Sequence, residues 1–251
     1  MDRVRGNFSA ALVLAACVAS CGGAVETPTQ KATSASSPDR ATADRAAPAA
    51  SASTPVGATA DKPARPRVVC LGDSLTAGYG LPSADEAYPK LLEKKLRGAG
   101  LDFEVINAGV SGDTSAGGLR RLDWSLQGDV RVLLVALGGN DGLRGLAPTE
   151  LKANLSAIID KAEARHVKVL LLGMEAPPNF GDRYTRDFRA VYRDVASERH
   201  VALIPFFLNG VAGITTLNQA DGIHPTAEGQ RRIADTIWPQ LKALATSTTT
   251  S

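Results

Sequence analysis

The sequence has few cysteines. Only three occur in 251 residues, at Cys17, Cys21 and Cys70. The first two lie close to the N-terminus, so the rest of the chain cannot hold an internal disulfide. Cys70 lies inside a short apolar run, and this pattern predicts a buried, unreactive thiol.

Motifs of several other protein classes are absent. There is no P-loop and no cluster of metal ligands, and segment 78–83 (GYGLPS) lacks the last glycine of a dinucleotide-binding fingerprint. Segment 109–113 (GVSGD) lacks the final glycine of the Gly-x-Ser-x-Gly nucleophile elbow. We therefore expect no metal and no cofactor.

The chain also lacks an excess of charge. The formal net charge is +2, and seven of the 28 basic and five of the 26 acidic residues precede Arg67, which leaves 21 of each in the rest. A neutral domain without a basic stripe binds nucleic acid poorly, because phosphate contacts require clustered Lys and Arg. We expect no nucleic-acid partner.

The first residues have the pattern of an export signal. A start with two arginines is followed by small and apolar residues from 8 to 20. This apolar segment is too short to span a bilayer, but it fits the hydrophobic region of a secretory signal. We interpret residues 1–21 as a lipoprotein-type signal peptide and expect the protein to be exported.

Two cysteines follow small residues, as in bacterial lipoprotein signals. Segment 14–17 (LAAC) ends at Cys17 and fits the usual pattern better, whereas segment 18–21 (VASC) ends at Cys21 after a longer apolar region. We favour lipidation at Cys21, with Cys17 as the alternative. The expected product is a periplasmic or cell-envelope lipoprotein held at the membrane by its lipid. An ordinary cleaved signal with incidental cysteines is the competing interpretation.

Residues 22–66 have the composition of a linker. Thirty of these 45 residues are Ala, Ser, Thr or Pro, and none is Leu, Ile or aromatic. Such a segment cannot form a core, and we interpret it as a disordered tether that holds the following domain away from a membrane surface.

Residues 67–247 alternate between strand and helix patterns and form the predicted globular domain. Short apolar runs predict buried parallel strands at 68–71, 103–106, 130–137, 167–172 and 201–205. Helical patterns cover 88–97, 149–165 with Thr149 as N-cap, 183–199 and 227–244. Five strands separated by helices predict an α/β fold with a doubly wound parallel sheet and helices on both faces.

Ser74 follows the first predicted strand and opens a short helical turn. There a serine hydroxyl is exposed, and the backbone N–H groups and helix dipole can stabilise a developing oxyanion. The residues alone equally allow a second interpretation, in which Ser74 is a helix N-cap.

Asp221 and His224 lie in a turn before the last predicted helix. Pro225 restricts His224 to an extended backbone, and a turn can bring the Asp221 carboxylate to one imidazole nitrogen while the other faces Ser74. A serine nucleophile requires such a base and a group that orients it. The alternative is a plain turn with Thr226 as a helix cap. His166 and His200 each end a helix, and we assign them no catalytic role.

Two loops at strand ends offer oxyanion donors. Gly112 in segment 107–114 would let a backbone N–H approach a substrate closely, and Asn140 in segment 138–141 offers a side-chain amide. Ordinary turn chemistry is the alternative for both segments.

Together these blocks resemble the SGNH/GDSL hydrolase family, and most of all its thioesterase I, lysophospholipase L1 and arylesterase group. The resemblance covers nearly the whole domain and is carried by segments 72–75 (GDSL), 111–114 (SGDT), 138–145 (GGNDGLRG), 203–207 (LIPFF) and 221–225 (DGIHP). It implies a flavodoxin-like three-layer α/β/α sandwich with a five-stranded parallel sheet. The lipoprotein-type signal peptide and the tether are not found in the typical soluble periplasmic enzyme of that group.

The resemblance also implies a role for each matching residue. Ser74 is the expected nucleophile, His224 the general base and Asp221 the group that orients it. The expected oxyanion hole consists of the Ser74 N–H, the Gly112 N–H and the Asn140 side chain. The function implied is a serine esterase that hydrolyses small-molecule or lipid acyl esters and thioesters as a monomer. The alternatives are a carbohydrate O-deacetylase of the same fold and a catalytically inactive surface-binding lipoprotein.

Two further loops are expected to shape the acyl pocket. They span residues 142–148 and 175–184 and are rich in proline and glycine. Leu143, Leu146 and Phe180 are candidates to line an apolar slot there, with ordinary packing as the alternative.

Overall fold

The fold was obtained as a computed structural model, which describes residues 65–249. The predicted signal peptide at 1–21, the lipidation at Cys21 or Cys17, and almost all of the predicted tether at 22–66 lie outside these residues. Within the described range, no helix is long and apolar enough to cross a bilayer.

Five parallel strands form the central sheet. They are β1 (Arg67–Gly72), β2 (Glu104–Gly109), β3 (Val130–Ala136), β4 (Lys168–Leu172) and β5 (Ala202–Ile204). Their order is β2-β1-β3-β4-β5, so the chain winds outward from β1 to β2 and then crosses to β3 on the other side. In sheets of this kind the ligand crevice lies at the carboxyl ends of the strands, where the winding direction reverses.

The helices lie on both faces of the sheet. They are α1 (Ser74–Ala77), α2 (Tyr88–Gly98), α3 (Ser115–Ser125), α4 (Gly139–Leu143), α5 (Pro148–Glu163), α6 (Asp182–Glu198) and α7 (Ala227–Thr249). The pair α2 and α7 covers one face, whereas α5 packs against both α3 and α6 on the other. This arrangement is the predicted three-layer α/β/α sandwich.

The hydrophobic pattern explains this layering. Strand β3 reads VRVLLVA, and every residue except Arg131 is buried, as expected for a strand covered by helices on both faces. In α6 the buried residues Phe188, Val191, Tyr192 and Val195 recur at helical spacing and form one apolar stripe. Cys70 is fully buried in β1, and burial raises the pKa of its thiol, in agreement with the predicted unreactive role.

Three details of the predicted elements were wrong: the cap of α5 and two missed helices, α3 and α4. Asn140 was predicted in a loop but lies in α4. Thr149 is not the N-cap of α5, since the helix begins at Pro148 and Ala147 occupies the cap position. Proline is favoured at the first helical position because its missing N–H would have no partner there. The prediction also missed α3, whose glycines hide the helical pattern: a side chain at Gly117 would collide with the Asp113 carboxylate.

Candidate active site

Ser74 is the first residue of α1 and follows directly on the carboxyl end of β1. The preceding Asp73, not Ser74, is the N-cap: its side chain accepts a hydrogen bond from the Leu75 N–H at 3.0 Å. The N-cap interpretation of Ser74 is therefore wrong. Because Asp73 satisfies the helix start, the Ser74 hydroxyl is left for other contacts.

The loop before α7 brings His224 and Asp221 to this serine. The His224 Nε2 lies 2.9 Å from the Ser74 Oγ, and the His224 Nδ1 lies 2.7 Å from Asp221 Oδ2. The other carboxylate oxygen of Asp221 accepts the backbone N–H groups of Ile223 at 2.9 Å and His224 at 3.0 Å. Both backbone bonds form because the chain turns tightly between Asp221 and His224.

The same contacts fix the ionisation state and the tautomer. Hydrogen bonds from the His224 backbone N–H, the His224 imidazole and the Ile223 N–H lower the pKa of Asp221 to about 2. An ionised carboxylate only accepts hydrogen bonds, so Nδ1 of a neutral His224 carries the hydrogen. Nε2 is then free to accept the hydrogen of the Ser74 hydroxyl.

Gly112 and Asn140 come to the same cavity from the ends of β2 and β3. Gly112 has a φ of +81°, which is strained for residues with a Cβ, and its carbonyl accepts the Arg144 Nη2 at 2.9 Å. The Asn140 Nδ2 donates to the Asp113 carbonyl at 3.0 Å and lies 3.3 Å from Asp73 Oδ2. Ser74, Gly112 and Asn140 all line one cavity of about 650 Å³.

The Asp73 carboxylate is only 2% exposed although it adjoins the cavity. Burial raises its pKa to about 6, while hydrogen bonds from Leu75 and Asn140 and the nearby His224 act in the opposite direction. A carboxylate in this position orients the Asn140 amide, because it faces an N–H donor and excludes the carbonyl end of that side chain.

The cavity is mainly apolar away from Ser74. Its walls include Leu143 of the predicted pocket loop at 142–148, together with Met174, Ala176, Pro177 and Phe206 from the ends of β4 and β5. Leu146 and Phe180 are not among the lining residues; the Phe180 ring instead packs against Tyr184, with ring centroids 5.2 Å apart. Of the three apolar candidates, only Leu143 reaches the cavity wall.

Sequence reasoning missed two side chains that join the His224 loop to α1. The Gln219 amide donates to the Tyr79 carbonyl at 2.7 Å and to the Pro225 carbonyl at 3.1 Å. The Tyr79 ring lies against the His224 imidazole with centroids 4.7 Å apart. Their positions near the motifs at 72–75 and 221–225 were the available signal, although only the fold brings the two side chains together.

A third missed residue is buried in α7. The Gln230 side chain is 1% exposed, donates to the Leu75 carbonyl at 3.1 Å, and accepts the Tyr88 N–H at 2.9 Å. It ties α1, which carries Ser74, to the helix that follows His224. A buried glutamine in an otherwise apolar helix stripe was the signal for it.

Thr226 also has the capping role considered for it. Its Oγ1 accepts the Gly229 N–H at 3.3 Å at the start of α7. The turn is therefore both a helix cap and the support of His224. Among residues 65–249, no group of three or more His, Cys, Asp or Glu side chains is arranged to hold a metal ion.

The sequence of this chain is similar to that of known hydrolases. Residues 70–232 match the model of the GDSL-like Lipase/Acylhydrolase family. Esterase TesA of Pseudomonas aeruginosa is 48% identical over 178 residues, which are 70% of this chain and 88% of the relative. Thioesterase 1/protease 1/lysophospholipase L1 of Escherichia coli is 43% identical over 178 residues, which are 70% of this chain and 84% of the relative.

Solved structures resemble the fold closely. The crystal structure of TesA has a TM-score of 0.68 at 47% identity and covers 71% of this chain and 99% of its own. The psychrotrophic esterase EstA from Pseudoalteromonas sp., in a structure inhibited by monoethylphosphonate, has a TM-score of 0.67 at 36% identity, with 70% and 97% covered.

Proposed function

Since this chain belongs to the GDSL-like lipase/acylhydrolase family, we propose that it is a serine esterase that hydrolyses acyl esters and thioesters through an acyl-enzyme on Ser74. The observation that carries the proposal is the chain of contacts from the Ser74 hydroxyl through His224 to the Asp221 carboxylate, at 2.9 and 2.7 Å. A serine alcohol is a weak nucleophile near neutral pH and requires such a base.

The first step is attack of the Ser74 Oγ on the substrate carbonyl carbon. The hydroxyl proton passes to His224 Nε2, and the ionised Asp221 stabilises the imidazolium that forms. The carbonyl becomes a tetrahedral oxyanion. The low pKa of Asp221 keeps its carboxylate ionised throughout this step.

The oxyanion is stabilised by the N–H groups of Ser74 and Gly112 and by the Asn140 amide. Ser74 is the first residue of α1, so helix geometry gives its N–H no acceptor within the helix. The Asn140 amide keeps its 3.0 Å bond to Asp113, and the oxyanion takes over the longer contact to Asp73. One such donor contributes about 3 kcal/mol to the barrier reduction.

Collapse of this intermediate expels the leaving alcohol or thiol, which takes the proton from His224. The acyl group remains on Ser74 as an ester. His224 then removes a proton from water, the resulting attack forms a second oxyanion, and its collapse releases the acid and restores Ser74. No metal or cofactor is needed in this sequence of steps.

The walls of the cavity support acyl substrates. Apolar residues from the ends of β4 and β5 face Ser74 across a space of about 650 Å³, which suits a hydrocarbon chain better than a polar sugar. The names of the two curated relatives, an esterase and a thioesterase/lysophospholipase, agree with this substrate class.

The test compares substrates and variants of the full chain. We expect hydrolysis of p-nitrophenyl esters, acyl thioesters and lysophospholipid by the wild type and no hydrolysis by Ser74→Ala. Faster release of acetate from acetylated sugars than of fatty acid from acyl esters would support an O-deacetylase instead. Full activity in Ser74→Ala would contradict the proposal.

We further propose that the protein is exported and held at the cell envelope through a lipid on Cys21 or Cys17. The proposal depends on the sequence of residues 1–21. Metabolic labelling with a fatty-acid analogue should mark the wild type and not the Cys17→Ser, Cys21→Ser double variant. Labelling that survives in the double variant would contradict lipidation, and recovery of the protein in the cytoplasm would contradict export.

A further inference from the structure

Arg121 in α3 binds three acceptors at the active-site end of the sheet. Its Nε donates to the Asp113 carboxylate at 2.6 Å, its Nη1 to the Ala108 carbonyl at 2.7 Å, and its Nη2 to the Gly72 carbonyl at 2.8 Å. The side chains of Arg121 and Asp113 are only 20% and 16% exposed. A planar guanidinium presents several donors in a rigid fork, which the single nitrogen of lysine cannot reproduce.

The two carbonyls belong to the ends of adjacent strands. Gly72 closes β1, two residues before Ser74, and Ala108 lies near the end of β2 beside Leu71 in the parallel register. The pairing of the two strands ends at Gly72 and Gly109, after which β1 continues into α1 and β2 into the loop that carries Gly112. Arg121 therefore joins the segment that leads to Ser74 with the segment that leads to Gly112.

The third acceptor, Asp113, is linked to both remaining oxyanion donors. It follows Gly112 directly in the chain, and its backbone N–H closes a turn onto the Val110 carbonyl at 3.1 Å. Its own carbonyl accepts the Asn140 amide at 3.0 Å. A displacement of Asp113 would therefore move the Gly112 N–H and the Asn140 side chain together.

We propose that Arg121 is a positioning residue of the oxyanion hole, because it joins all three donor segments. The inference rests on the proposed function. Arg121 does not line the cavity, and the Asp113 carboxylate balances its charge, so it acts on the geometry of the donors. Small displacements of groups that stabilise a transition state reduce turnover more than they reduce substrate binding.

The test compares Arg121→Met and Arg121→Lys with the wild type. Methionine keeps most of the apolar stem without the fork, and we expect kcat for p-nitrophenyl butyrate to fall by about 10²-fold with KM changed by less than about threefold. Lysine keeps the charge and one donor nitrogen, so the kcat of Arg121→Lys should be only about tenfold higher than that of Arg121→Met.

Arg165→Met is the matched control. Arg165 also bonds a carboxylate and a carbonyl at α3, Asp123 at 2.7 Å and Leu126 at 3.5 Å, but it lies away from the cavity. Its kcat should stay within about twofold of the wild type, since no oxyanion donor depends on it. Rates are expressed per active site titrated with a fluorophosphonate, so that unfolded protein is not counted.

Two results would overturn the inference. The first is a per-site kcat in Arg121→Met, or in Arg121→Lys if the methionine variant does not fold, equal to that of the wild type. The second does not depend on turnover: unchanged NMR signals of the Gly112 N–H and Asn140 side-chain amide in Arg121→Lys would show that Arg121 does not position them. Absence of ester hydrolysis in the wild type would instead refute the proposed function, and the NMR comparison would still decide the role of Arg121.

Discussion

Both ends of the parallel sheet hold residues with unusual conformation or burial. Local structure explains these residues at the amino end but not at the carboxyl end. At the amino end, His166 and His200 have positive φ values of 59° and 52°, and both line a cavity of about 450 Å³. Each follows the end of a helix, α5 or α6, where a left-handed residue closes the last turn. A backbone N–H beyond each bonds back to the helix, from Val167 to the Ala162 carbonyl at 3.0 Å and from Val201 to the Ala196 carbonyl at 3.1 Å.

At the carboxyl end, the unusual residues are unfavourable for folding, and local structure does not explain them. Their positions are explained by the candidate active site. Asp73 is 2% exposed, although burial of a carboxylate is unfavourable. The apolar side chains of Tyr79, Leu143 and Ile223 are about half exposed and line the cavity. Folding alone would favour the opposite arrangement.

The three histidines of the chain show the same difference. Two of them satisfy a rule of helix termination, whereas His224 contacts Asp221 in its own turn and also Ser74 and Tyr79, which are far away in the sequence. A residue whose contacts exceed what its local structure requires is a candidate for function. The predictions below test this distinction between the two ends.

The largest effect is expected from His224→Ala. Loss of the proposed general base should lower kcat for p-nitrophenyl butyrate by about 10⁵-fold or more. The matched control is His200→Asn at the amino end, since asparagine tolerates the left-handed conformation and should leave kcat unchanged. Steady-state kinetics of both variants measure the effect. A similar loss of kcat in the two variants would contradict the proposed difference between the ends of the sheet.

A smaller loss is expected from Asn140→Ala, which removes one of the proposed oxyanion donors. The kcat should fall by about 10²- to 10³-fold with little change in KM, because the amide acts mainly on the transition state. The measurement is a kcat and KM determination on purified variant. A rise in KM at unchanged kcat would indicate that Asn140 binds the ground state instead.

The buried Asp73 should make stability depend on pH. Its pKa is raised to about 6 in the folded protein, so the folded state keeps a proton that the unfolded state releases near its ordinary value of 3.8. Stability from this group is therefore lost as the pH rises from about 4 to about 6, by on the order of 3 kcal/mol. Urea unfolding across this pH range should show that the free energy of unfolding falls with rising pH in the wild type, and that this decrease is missing in Asp73→Asn. The same pH dependence of the free energy of unfolding in both proteins would contradict the prediction.

The smallest effect is expected at the amino end. His166→Gly should be more stable than His166→Ala by about 1 kcal/mol, because alanine is strained at the positive φ of this position. Chemical denaturation measures the difference, and both variants should keep wild-type kcat. Equal stabilities would mean that the left-handed conformation does not govern this residue.

The sequence predicted the sheet well because buried parallel strands are nearly continuous apolar runs. All five predicted strands are present with ends shifted by a few residues. The structure also brings Ser74, Asp221 and His224 into contact, as the two short motifs that contain them predicted. The helix α3 was missed because Gly117 and Gly118 serve close packing and obscure the pattern.

Supporting side chains were not predictable from local sequence. Arg121, Gln219 and Gln230 are ordinary polar residues on the chain, and only the fold shows which carbonyls they bind. Asp73 lay inside a recognised motif, yet its burial depends on strands and helices that are far apart in sequence. Candidate reactive groups were therefore easier to predict than the side chains that support them.

The most direct test of the account is active-site labelling with a fluorophosphonate probe, followed by peptide mapping by mass spectrometry. The Ser74–His224–Asp221 geometry predicts one adduct per chain, on Ser74, which forms rapidly in the wild type and in His200→Asn. The adduct should be absent in Ser74→Ala and form far more slowly in His224→Ala. An adduct on another residue, or no adduct on folded wild-type protein, would contradict the assignment of Ser74 as the nucleophile.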